Sequence, residues 1–270
     1  MATNDNRSSA DKLDQYYTRL DVAVHFFGVL QRYFDPASFQ MVEPSAGDGA
    51  FFRLTLPGSL GYDLEPKYAG IRTADFLEVT VGGDRPICIV GNPPFGQNSS
   101  MAVKFFNHAA REASVIAMIF PSTFRKGSIQ NRLDPAFHVL YQETVPKDAF
   151  RFEGRLHNVP ATFMIWERRT EPRNPWPTMT QHPDFDFLTN SQGADFLIQR
   201  VGARAGQVHD NFSMSPRSHY FIKANRYNVR AVMEQLDLAA VARNVAGCPS
   251  ISKCEIVSMY CQWVDRQPGT

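Results

Sequence analysis

The sequence has few cysteines, and their spacing does not match common cysteine-based sites. Cysteine occurs four times in 270 residues, at Cys88, Cys248, Cys254 and Cys261. Structural zinc sites usually bring cysteines in Cys-x-x-Cys pairs, and small secreted domains carry a dense set of disulfides. Neither pattern is present. We therefore expect no metal site and no disulfide framework, and we expect Cys88 to lie in the core.

Long apolar runs are also missing. No stretch of 18 apolar residues occurs, and the polar segment Met1–Asp14 lacks the apolar region of a signal peptide. We therefore expect no membrane span and no signal peptide, with a flexible N-terminus over residues 1–13. The composition of 43% hydrophobic and 20% charged residues is typical of a soluble globular protein, which favours a cytoplasmic location.

The chain lacks an overall charge of either sign, because 28 basic and 27 acidic residues give a formal net charge of +1. One segment is nevertheless strongly basic. Between Phe196 and Arg230 the single acid Asp210 is outnumbered by the six basic residues Arg200, Arg204, Arg217, Lys223, Arg226 and Arg230. Such a local basic surface can attract a polyanion, with an ordinary solvated face as the alternative.

Short apolar runs alternate with helical patterns up to about residue 168. The runs predict strands at 39–42, 59–63, 87–90, 115–120, 137–142 and 161–166. This alternation predicts an α/β fold with a doubly wound, mainly parallel sheet that binds ligands at the carboxyl ends of its strands.

Two helices are predicted within this region. Val22, Phe26, Val29 and Tyr33 recur at helical spacing, and Thr18 with Asp21 resembles the start of a capping box. A second helix is predicted to begin at Ser99 or Ser100 and to end near Ala113.

The C-terminal part has a different pattern. A proline-rich stretch over residues 171–183 is interpreted as a linker after a domain spanning residues 14–170. Residues 184–270 then predict a small α+β region. It would contain strands at 196–201 and 220–222, a helix at 229–241, and a last helix that Ser252 and Glu255 start with a capping box.

The tetrapeptide Asn92-Pro93-Pro94-Phe95 follows the apolar strand Ile87-Cys88-Ile89-Val90. The two prolines restrict the backbone, so the Asn92 amide and the neighbouring carbonyls are held at the carboxyl end of a strand. Asn92 and a backbone carbonyl are suited to accept the two hydrogens of an exocyclic amine, and Phe95 is suited to stack on its base. The alternative is an ordinary turn with Phe95 in the core.

A glycine-containing loop follows the strand at 39–42, in the order Glu43-Pro44-Ser45-Ala46-Gly47-Asp48-Gly49-Ala50-Phe51. Its glycines allow a ligand to approach the backbone, as in nucleotide-binding βα units. Its carboxylates would repel a pyrophosphate but suit a cationic ligand, such as a nucleoside that carries an ammonium group and a sulfonium.

Further acids follow in the order that a nucleoside site requires. Asp63 ends the next strand, where a carboxylate can bind ribose hydroxyls, and Glu65 is a weaker candidate. Asp75 can accept a hydrogen bond from an adenine amino group, with Phe76 against the ring. Either acid alone could instead be a helix cap.

Together these motifs resemble the class I S-adenosylmethionine-dependent amino-methyltransferases, and most closely the adenine-N6 DNA methyltransferases. Gln15-Tyr16-Tyr17-Thr18 is similar to motif X of that family, the Glu43 loop to motif I, and Asn92-Pro93-Pro94-Phe95 to the catalytic motif IV. This is the motif order of the gamma subgroup. The fourth residue of motif IV is Phe95 where the family more often has tyrosine.

The resemblance implies a Rossmann-like sheet of seven strands, with Ala161–Trp166 near its antiparallel end, and S-adenosylmethionine as cofactor. It also implies that Gln15–Thr18, Glu43–Gly49, Asp63, Asp75, Phe76 and Asn92 bind this cofactor. Phe152, or alternatively Phe150, would stack on the target base opposite Phe95.

The implied activity is methylation of adenine N6 in DNA by base flipping, in a protein that is a monomer or a weak dimer. The basic residues at 200–230 would then contact phosphates. The alternatives are methylation of adenine in RNA, methylation of a glutamine amide in a protein, and a catalytically silent module that binds cofactor and nucleic acid.

Overall fold

The computed structural model describes residues 16–245 and 247–266, so Gln15 lies outside the described part of the chain. The described residues form two compact units. The first runs to Phe124 and takes in Asn131–Asn174, and the second comprises Arg125–Gln130 and the chain from Pro175 onward.

The first unit is built from ten strands and two helices of more than one turn. In chain order they are β1 (Tyr17–Thr18), α1 (Leu20–Gln31), β2 (Gln40–Glu43), β3 (Leu60–Asp63), β4 (Arg72–Thr73), β5 (Ile87–Gly91), α2 (Ser100–Ala109), β6 (Ala113–Pro121), β7 (Phe137–Thr144), β8 (Phe150–Phe152), β9 (Arg155–His157) and β10 (Ala161–Arg168).

Seven of these strands form one sheet in the order β4-β3-β2-β5-β6-β10-β7. The pairs β3–β4, β2–β3, β2–β5 and β5–β6 are parallel, whereas β10 is antiparallel to both β6 and β7. The predicted α/β fold with seven strands is therefore confirmed, and the antiparallel strand predicted at 161–166 runs two residues further, to Arg168.

The strand order reverses between β2 and β5. From β2 the chain adds β3 and β4 on one side, and it then returns to place β5 and β6 on the other. Ligands of such open sheets bind at the carboxyl ends of the strands where the order switches. The segments that follow Glu43 and Gly91 are therefore adjacent.

The core of this unit surrounds the central strands. Every residue of β5 is buried, including Cys88, and burial raises the pKa of the Cys88 thiol to about 12. Helix α1 covers one face of the sheet, where Phe26 stacks on Phe163 of β10 at a centroid distance of 4.5 Å. Strands buried on both faces explain the continuous apolar runs of the sequence.

Neither helix has the side-chain cap that was predicted, although α2 begins at Ser100, one of the two predicted first residues. Thr18 does not cap α1, because it lies in β1 and pairs with Phe150 of β8, and Arg19 occupies the cap position without a side-chain hydrogen bond. Ser99 has a φ of 62° and makes no cap, since its hydroxyl is bonded to Thr123 at 2.6 Å.

The predicted helix ends were also too late. Tyr33 lies beyond the last residue of α1, Gln31, and is 43% exposed. Helix α2 ends at Ala109, and Ala113 already begins strand β6.

The connection between β2 and β3 also differs from the expected strand-turn-helix unit. It contains turns and a single 3₁₀ turn at Phe52–Leu54 rather than an α-helix. Pro57 and Gly58 close this segment two residues before β3 begins, which leaves little length for a regular helix.

The second unit is an α+β structure. It contains α3 (Gly127–Gln130), β11 (Phe185–Leu188), β12 (Phe196–Gln199), β13 (Val208–His209), β14 (His219–Ala224), α4 (Val229–Gln235), α5 (Leu238–Ala242) and α6 (Lys253–Asp265). The strands form an antiparallel sheet in the order β11-β14-β12-β13.

Two helix predictions in this unit had different outcomes. The single helix predicted at 229–241 is two helices, because the Asp237 carboxylate accepts a hydrogen bond from the Ala240 amide and starts α5. The capping box of α6 is confirmed, since Ser252 and Glu255 bond each other's backbone amides at 2.8 and 3.4 Å. Over the described residues, no helix has both the length and the apolar character needed to cross a membrane.

Candidate active site at the switch point of the sheet

The two motif loops meet beside the ends of β2 and β5. The Ser45 hydroxyl donates a hydrogen bond of 2.9 Å to the backbone carbonyl of Asn92. Gly91 lies against the Glu43 side chain, so that a Cβ at this glycine would come within 3.0 Å of the Glu43 Cγ. Residues almost fifty positions apart in the chain are thereby joined at one edge of the sheet.

A cavity of about 260 Å³ lies at this edge. Ligand cavities usually measure roughly 300 to 1,000 Å³, so this one is close to the lower end of that range. It is lined by Tyr16, Tyr17, Thr18, Glu43, Pro44, Ser45, Ala46, Gly47, Asp48, Ala50, Asp63, Leu64, Ala74, Asp75, Phe76, Asn92, Pro94, Met101 and Phe105.

Most of the residues predicted to bind the cofactor line this cavity. The exceptions are Gly49, which is not in the lining, and Gln15, which lies outside the described residues. The lining also includes residues that the sequence analysis did not assign. Among them, Met101 and Phe105 lie four positions apart on α2, so the helical period could have indicated that both face the same way.

Two glycines allow the loop to pass beneath aromatic rings. Gly47 has a φ of +50°, and a Cβ there would lie 2.8 Å from the Tyr17 ring. Gly49 has a φ of +78°, and a Cβ there would lie 2.7 Å from the Tyr68 ring. Gly49 therefore shapes the loop without lining the cavity.

The Asp63 carboxylate is fixed by two backbone amides. One oxygen accepts a hydrogen bond from Gly47 and the other from Glu65, each at 2.8 Å. Each carboxylate oxygen can accept more than one hydrogen bond, so this orientation leaves acceptor capacity for a diol. Asp63 thus joins the end of β3 to the glycine loop at the cavity wall.

Asp75 and Phe76 have structural roles as well as cavity positions. Asp75 caps the 3₁₀ turn Phe76–Glu78, with one oxygen 2.9 Å from the Leu77 amide. Phe76 is 3% exposed and packs against Phe105 and His108. The helix-cap interpretation of Asp75 and a ligand contact are therefore compatible.

Three buried polar atoms in the cavity wall have no hydrogen-bond partner. They are the Thr18 hydroxyl, Oε2 of Glu43 and Oδ1 of Asn92. Glu43 is 3% exposed, and its burial is the main reason that the pKa of its carboxyl lies well above the ordinary value. Buried polar atoms without partners are rare, so a group of them around one cavity is suited to bind a polar ligand.

The Asn92 carboxamide has a defined orientation. Its Nδ2 donates a hydrogen bond of 3.1 Å to the backbone carbonyl of Tyr16. Asn92 and Tyr16 also line a second, much smaller cavity of about 20 Å³, together with Pro93, Phe95, Phe150 and Val159. Asn92 therefore stands between the two cavities.

The two candidate aromatic residues opposite Phe95 differ in their surroundings. Phe150 is 1% exposed and meets Phe95 edge-on, with centroids 6.5 Å apart. Phe152 is half-buried and packs against Tyr16 and His157 at 5.5 and 5.8 Å. The contact of His157 with Tyr16 was not predicted, because neither its position nor its neighbours in sequence indicate it.

The six basic residues of the second unit divide into two groups. Lys223, Arg226 and Arg230 form ion pairs with Asp195, Asp184 and Asp210, at 3.3, 2.9 and 2.6 Å. Within the described residues, no carboxylate pairs with the other three, Arg200, Arg204 and Arg217. Asp184 and Asp195 lie outside the segment between Phe196 and Arg230, so two of its basic residues are paired with acids that the segment itself does not contain.

The described residues contain no cluster of three or more metal-ligating side chains. Among them, the cysteines Cys88, Cys248, Cys254 and Cys261 are free.

Comparisons with known proteins give fold-level similarities. No protein-family model matches the sequence, and no curated protein does. A protein from Pyrococcus horikoshii that is provisionally named an RNA methyltransferase is 14% identical, with a TM-score of 0.46 over 62% of this chain and 92% of that chain. The 23S rRNA methyltransferase ErmE is 18% identical, with a TM-score of 0.41 over 58% of this chain and 71% of that chain.

A third similar structure is a protein from Vibrio vulnificus that is provisionally named the modification subunit of a type I restriction enzyme. It is 14% identical, with a TM-score of 0.41 over 57% of this chain and 44% of that chain. TM-scores below 0.5 at these identities do not identify a family.

Proposed function

We propose that the protein transfers a methyl group from S-adenosylmethionine to the N6 amino group of adenine in DNA. The observation that carries this proposal is the unpartnered Oδ1 of Asn92, buried on the wall between the larger cavity, which several carboxylates line, and a small aromatic one. An acceptor in this position is suited to hold an amine beside a cofactor.

The large cavity has the chemistry that a cationic nucleoside requires. Glu43, Asp48, Asp63 and Asp75 place carboxylates around it. The unpartnered Oε2 of Glu43 and the Thr18 hydroxyl offer hydrogen bonds to the amino acid part of such a ligand, while Asp63 suits its ribose. When bound there, S-adenosylmethionine supplies a methyl group activated by a positively charged sulfur.

Asn92 and Pro93 would orient the target amine. The N6 lone pair of adenine is delocalised into the ring, so the nitrogen is a poor nucleophile until its hydrogens are held. Oδ1 of Asn92 would accept one hydrogen and the Pro93 carbonyl the other. The backbone carbonyl of Asn92 is already bonded to Ser45, which leaves the Pro93 carbonyl as the neighbouring acceptor. Holding the amine in line with the methyl group accelerates direct transfer by proximity and orientation.

Phe95 would stack on the flipped base. Base flipping is needed because N6 is not reachable within a stacked duplex. The small cavity holds no more than about one water molecule, so it is too small for a base. Two parallel rings that stack on opposite faces of a base need centroids about 7 Å apart. The ring of Phe150 instead lies edge-on to the ring of Phe95, with centroids 6.5 Å apart. We therefore expect Phe95 or the β8–β9 hairpin, which would bring Phe152 to the opposite face, to move when the base binds.

The second unit would hold the DNA backbone. Its unpaired Arg200, Arg204 and Arg217 are the best placed to neutralise phosphates, since Lys223, Arg226 and Arg230 already have carboxylate partners. Replacing either Arg204 or Arg217 by alanine should lower by about one the magnitude of the slope of a plot of log binding constant against log salt concentration. Lys223→Ala is the matched control and should reduce it less.

The central experiment uses labelled S-adenosylmethionine with unmethylated DNA, RNA and protein in parallel, followed by digestion and identification of the modified residue. We expect label at N6 of adenine in DNA. Asn92→Ala should lower the rate roughly 100- to 1000-fold while cofactor affinity is kept. Asn158→Ala removes an exposed asparagine that lines neither cavity, and it should be active. Transfer by Asn92→Ala at the parent rate would overturn the catalytic assignment, and label in RNA or protein alone would overturn the substrate.

A further inference from the structure

The orientation of the Asn92 carboxamide depends on a residue outside the catalytic tetrapeptide. Its Nδ2 donates to the Tyr16 carbonyl at 3.1 Å, which leaves Oδ1 free of partners in the wall of the cavity. A carbonyl can only accept a hydrogen bond. The reversed amide would place two acceptors against each other, so the Tyr16 carbonyl selects the orientation in which Oδ1 can meet an amine.

The Tyr16 carbonyl is itself held by the segment that follows it. Tyr17 and Thr18 pair with Arg151 and Phe150 in the small antiparallel sheet β1-β8-β9. The Arg19 amide then donates a hydrogen bond of 2.9 Å to the Ala149 carbonyl. The backbone after Tyr16 is therefore attached to the hairpin at successive residues.

The Tyr16 side chain is attached to the same hairpin. Its ring lies 5.5 Å from Phe152 and 5.6 Å from His157, and those two rings are 5.8 Å apart. Phe152 and His157 belong to β8 and β9, which pair with each other. The three rings contact one another pairwise, so displacing one of them loosens the other two.

We propose that this aromatic triad of Tyr16, Phe152 and His157 is a positioning device that sets the Asn92 carboxamide for the reaction. The inference rests on the proposed function, because it assigns Asn92 as the group that holds the amine. His157 is its most informative member, since it lines neither cavity and its ring contacts Tyr16 directly. His157 is thus a positioning residue and not a catalytic one.

The test compares His157→Ala with His157→Phe. A displacement of about 1 Å at a reacting group can lower a rate 100-fold, so we expect His157→Ala to lower kcat about 10- to 100-fold. The cofactor Kd should change by a much smaller factor than kcat, and His157→Phe should restore most of kcat because it keeps the ring. His138→Ala is the matched control, since His138 is a half-buried histidine of β7 that bonds the Glu171 carbonyl instead. It should leave kcat unchanged.

A second measurement does not depend on activity. Amide hydrogen exchange over residues 16–19 should accelerate at least threefold in His157→Ala but not in His157→Phe, with thermal unfolding as the control for folding. An unchanged kcat in His157→Ala, or equal losses of kcat and of cofactor affinity, overturns the proposal.

The two proposals can fail separately. If the parent protein methylates no adenine while exchange responds as described, the proposed function fails, and the exchange result supports only the structural link between the triad and residues 16–19. If the parent protein is active and neither kcat nor exchange responds to His157→Ala, the device fails and the proposed function stands.

Discussion

Replacing Glu43 by glutamine should make the ligand-free protein more stable and its cofactor binding weaker. The Glu43 carboxyl is 3% exposed, and its Oε2 has no hydrogen-bond partner. Burial raises its pKa well above the ordinary value of 4.5, the negative charges of Asp48 and Asp63 raise it further, and the Phe52 backbone and Arg53 oppose this increase. The residue is therefore unfavourable to folding at neutral pH, and its position at the cavity indicates that it is kept for binding.

The sign follows from the difference between the folded and unfolded states. Because the folded-state pKa is the higher one, the folded protein binds the proton more tightly, and stability falls as pH rises from about 4.5 through the raised pKa. Glutamine keeps a polar end at this position but cannot ionise, so Glu43→Gln avoids the cost of the raised pKa, which is about 1.4 kcal/mol for each unit of the increase. Above the raised pKa the variant should therefore be the more stable protein, and each kcal/mol corresponds to about 2 to 4 °C in Tm. At pH 4.5 and below, the two proteins should be nearly equal in stability.

The effect on binding has the opposite direction. An ionised Glu43 can pair with the ammonium group of the cofactor, and a hydrogen bond to a charged group contributes about 1.5 to 3 kcal/mol. The variant should therefore bind at least about tenfold more weakly. In the parent protein, affinity should fall as pH falls through the Glu43 pKa, because the proton must leave before the ammonium group binds. Glutamine should remove this dependence.

The assay combines thermal unfolding of the ligand-free protein at several pH values with calorimetric titration of S-adenosylmethionine in two buffers of different ionisation enthalpy. At pH values below the raised pKa of Glu43, the parent should release a proton on binding, and Glu43→Gln should not. Glu78→Gln, at an exposed glutamate of the same unit, is the control and should change neither property. A Glu43→Gln variant that is less stable than the parent at pH 8, or that binds with the parent affinity, would refute this reasoning.

Three further predictions concern other parts of the structure. Gly47→Ala should weaken cofactor binding at least tenfold in calorimetry, because its Cβ would lie 2.8 Å from the Tyr17 ring at a φ of +50°, while unfolding should show a loss of only about 1 to 3 kcal/mol. Asp63→Asn should raise the cofactor Kd without abolishing transfer at saturating cofactor, since one oxygen remains to hold the loop; an unchanged Kd would exclude the ribose role. Ser252→Ala removes half of a capping box and should lower stability by about 1 kcal/mol in urea unfolding, with no effect on the rate of transfer.

The sequence predicted the sheet and the two loops at its switch point because both depend on local signals. Strands such as Ile87–Gly91 are buried on both faces and therefore read as continuous apolar runs. The residues after parallel neighbouring strands must meet at one edge, so the approach of Ser45 to Asn92 follows from the strand order once the sheet is recognised. The edge at which the cavity lies could therefore be predicted from this order alone.

What the sequence did not predict depends on partners far away in the chain. Thr18 resembles a helix cap locally, but its strand pairing with Phe150, more than 130 positions later, turns it into a strand residue that faces the cavity. The same distance hides the contact of Tyr16 with His157. Likewise, Asp184 and Asp195 lie outside the basic segment whose charge they reduce, so a charge count along the sequence overstated the free cations.

The catalytic proposal therefore depends on two contacts that the tetrapeptide cannot make by itself. The Asn92 backbone carbonyl is fixed by Ser45 of the glycine loop, and its side-chain amide is fixed by the Tyr16 carbonyl before β1. Both partners also line the cofactor cavity, so the groups that would bind the methyl donor are the ones that orient the acceptor of the amine. A pair of prolines restricts a backbone, but it does not select which end of an amide faces the substrate. The Tyr16 carbonyl makes that selection. This contact gives a physical reason why Tyr16–Thr18, which precede the seven-stranded sheet in the chain, belong to the same site as Asn92–Phe95 at its centre.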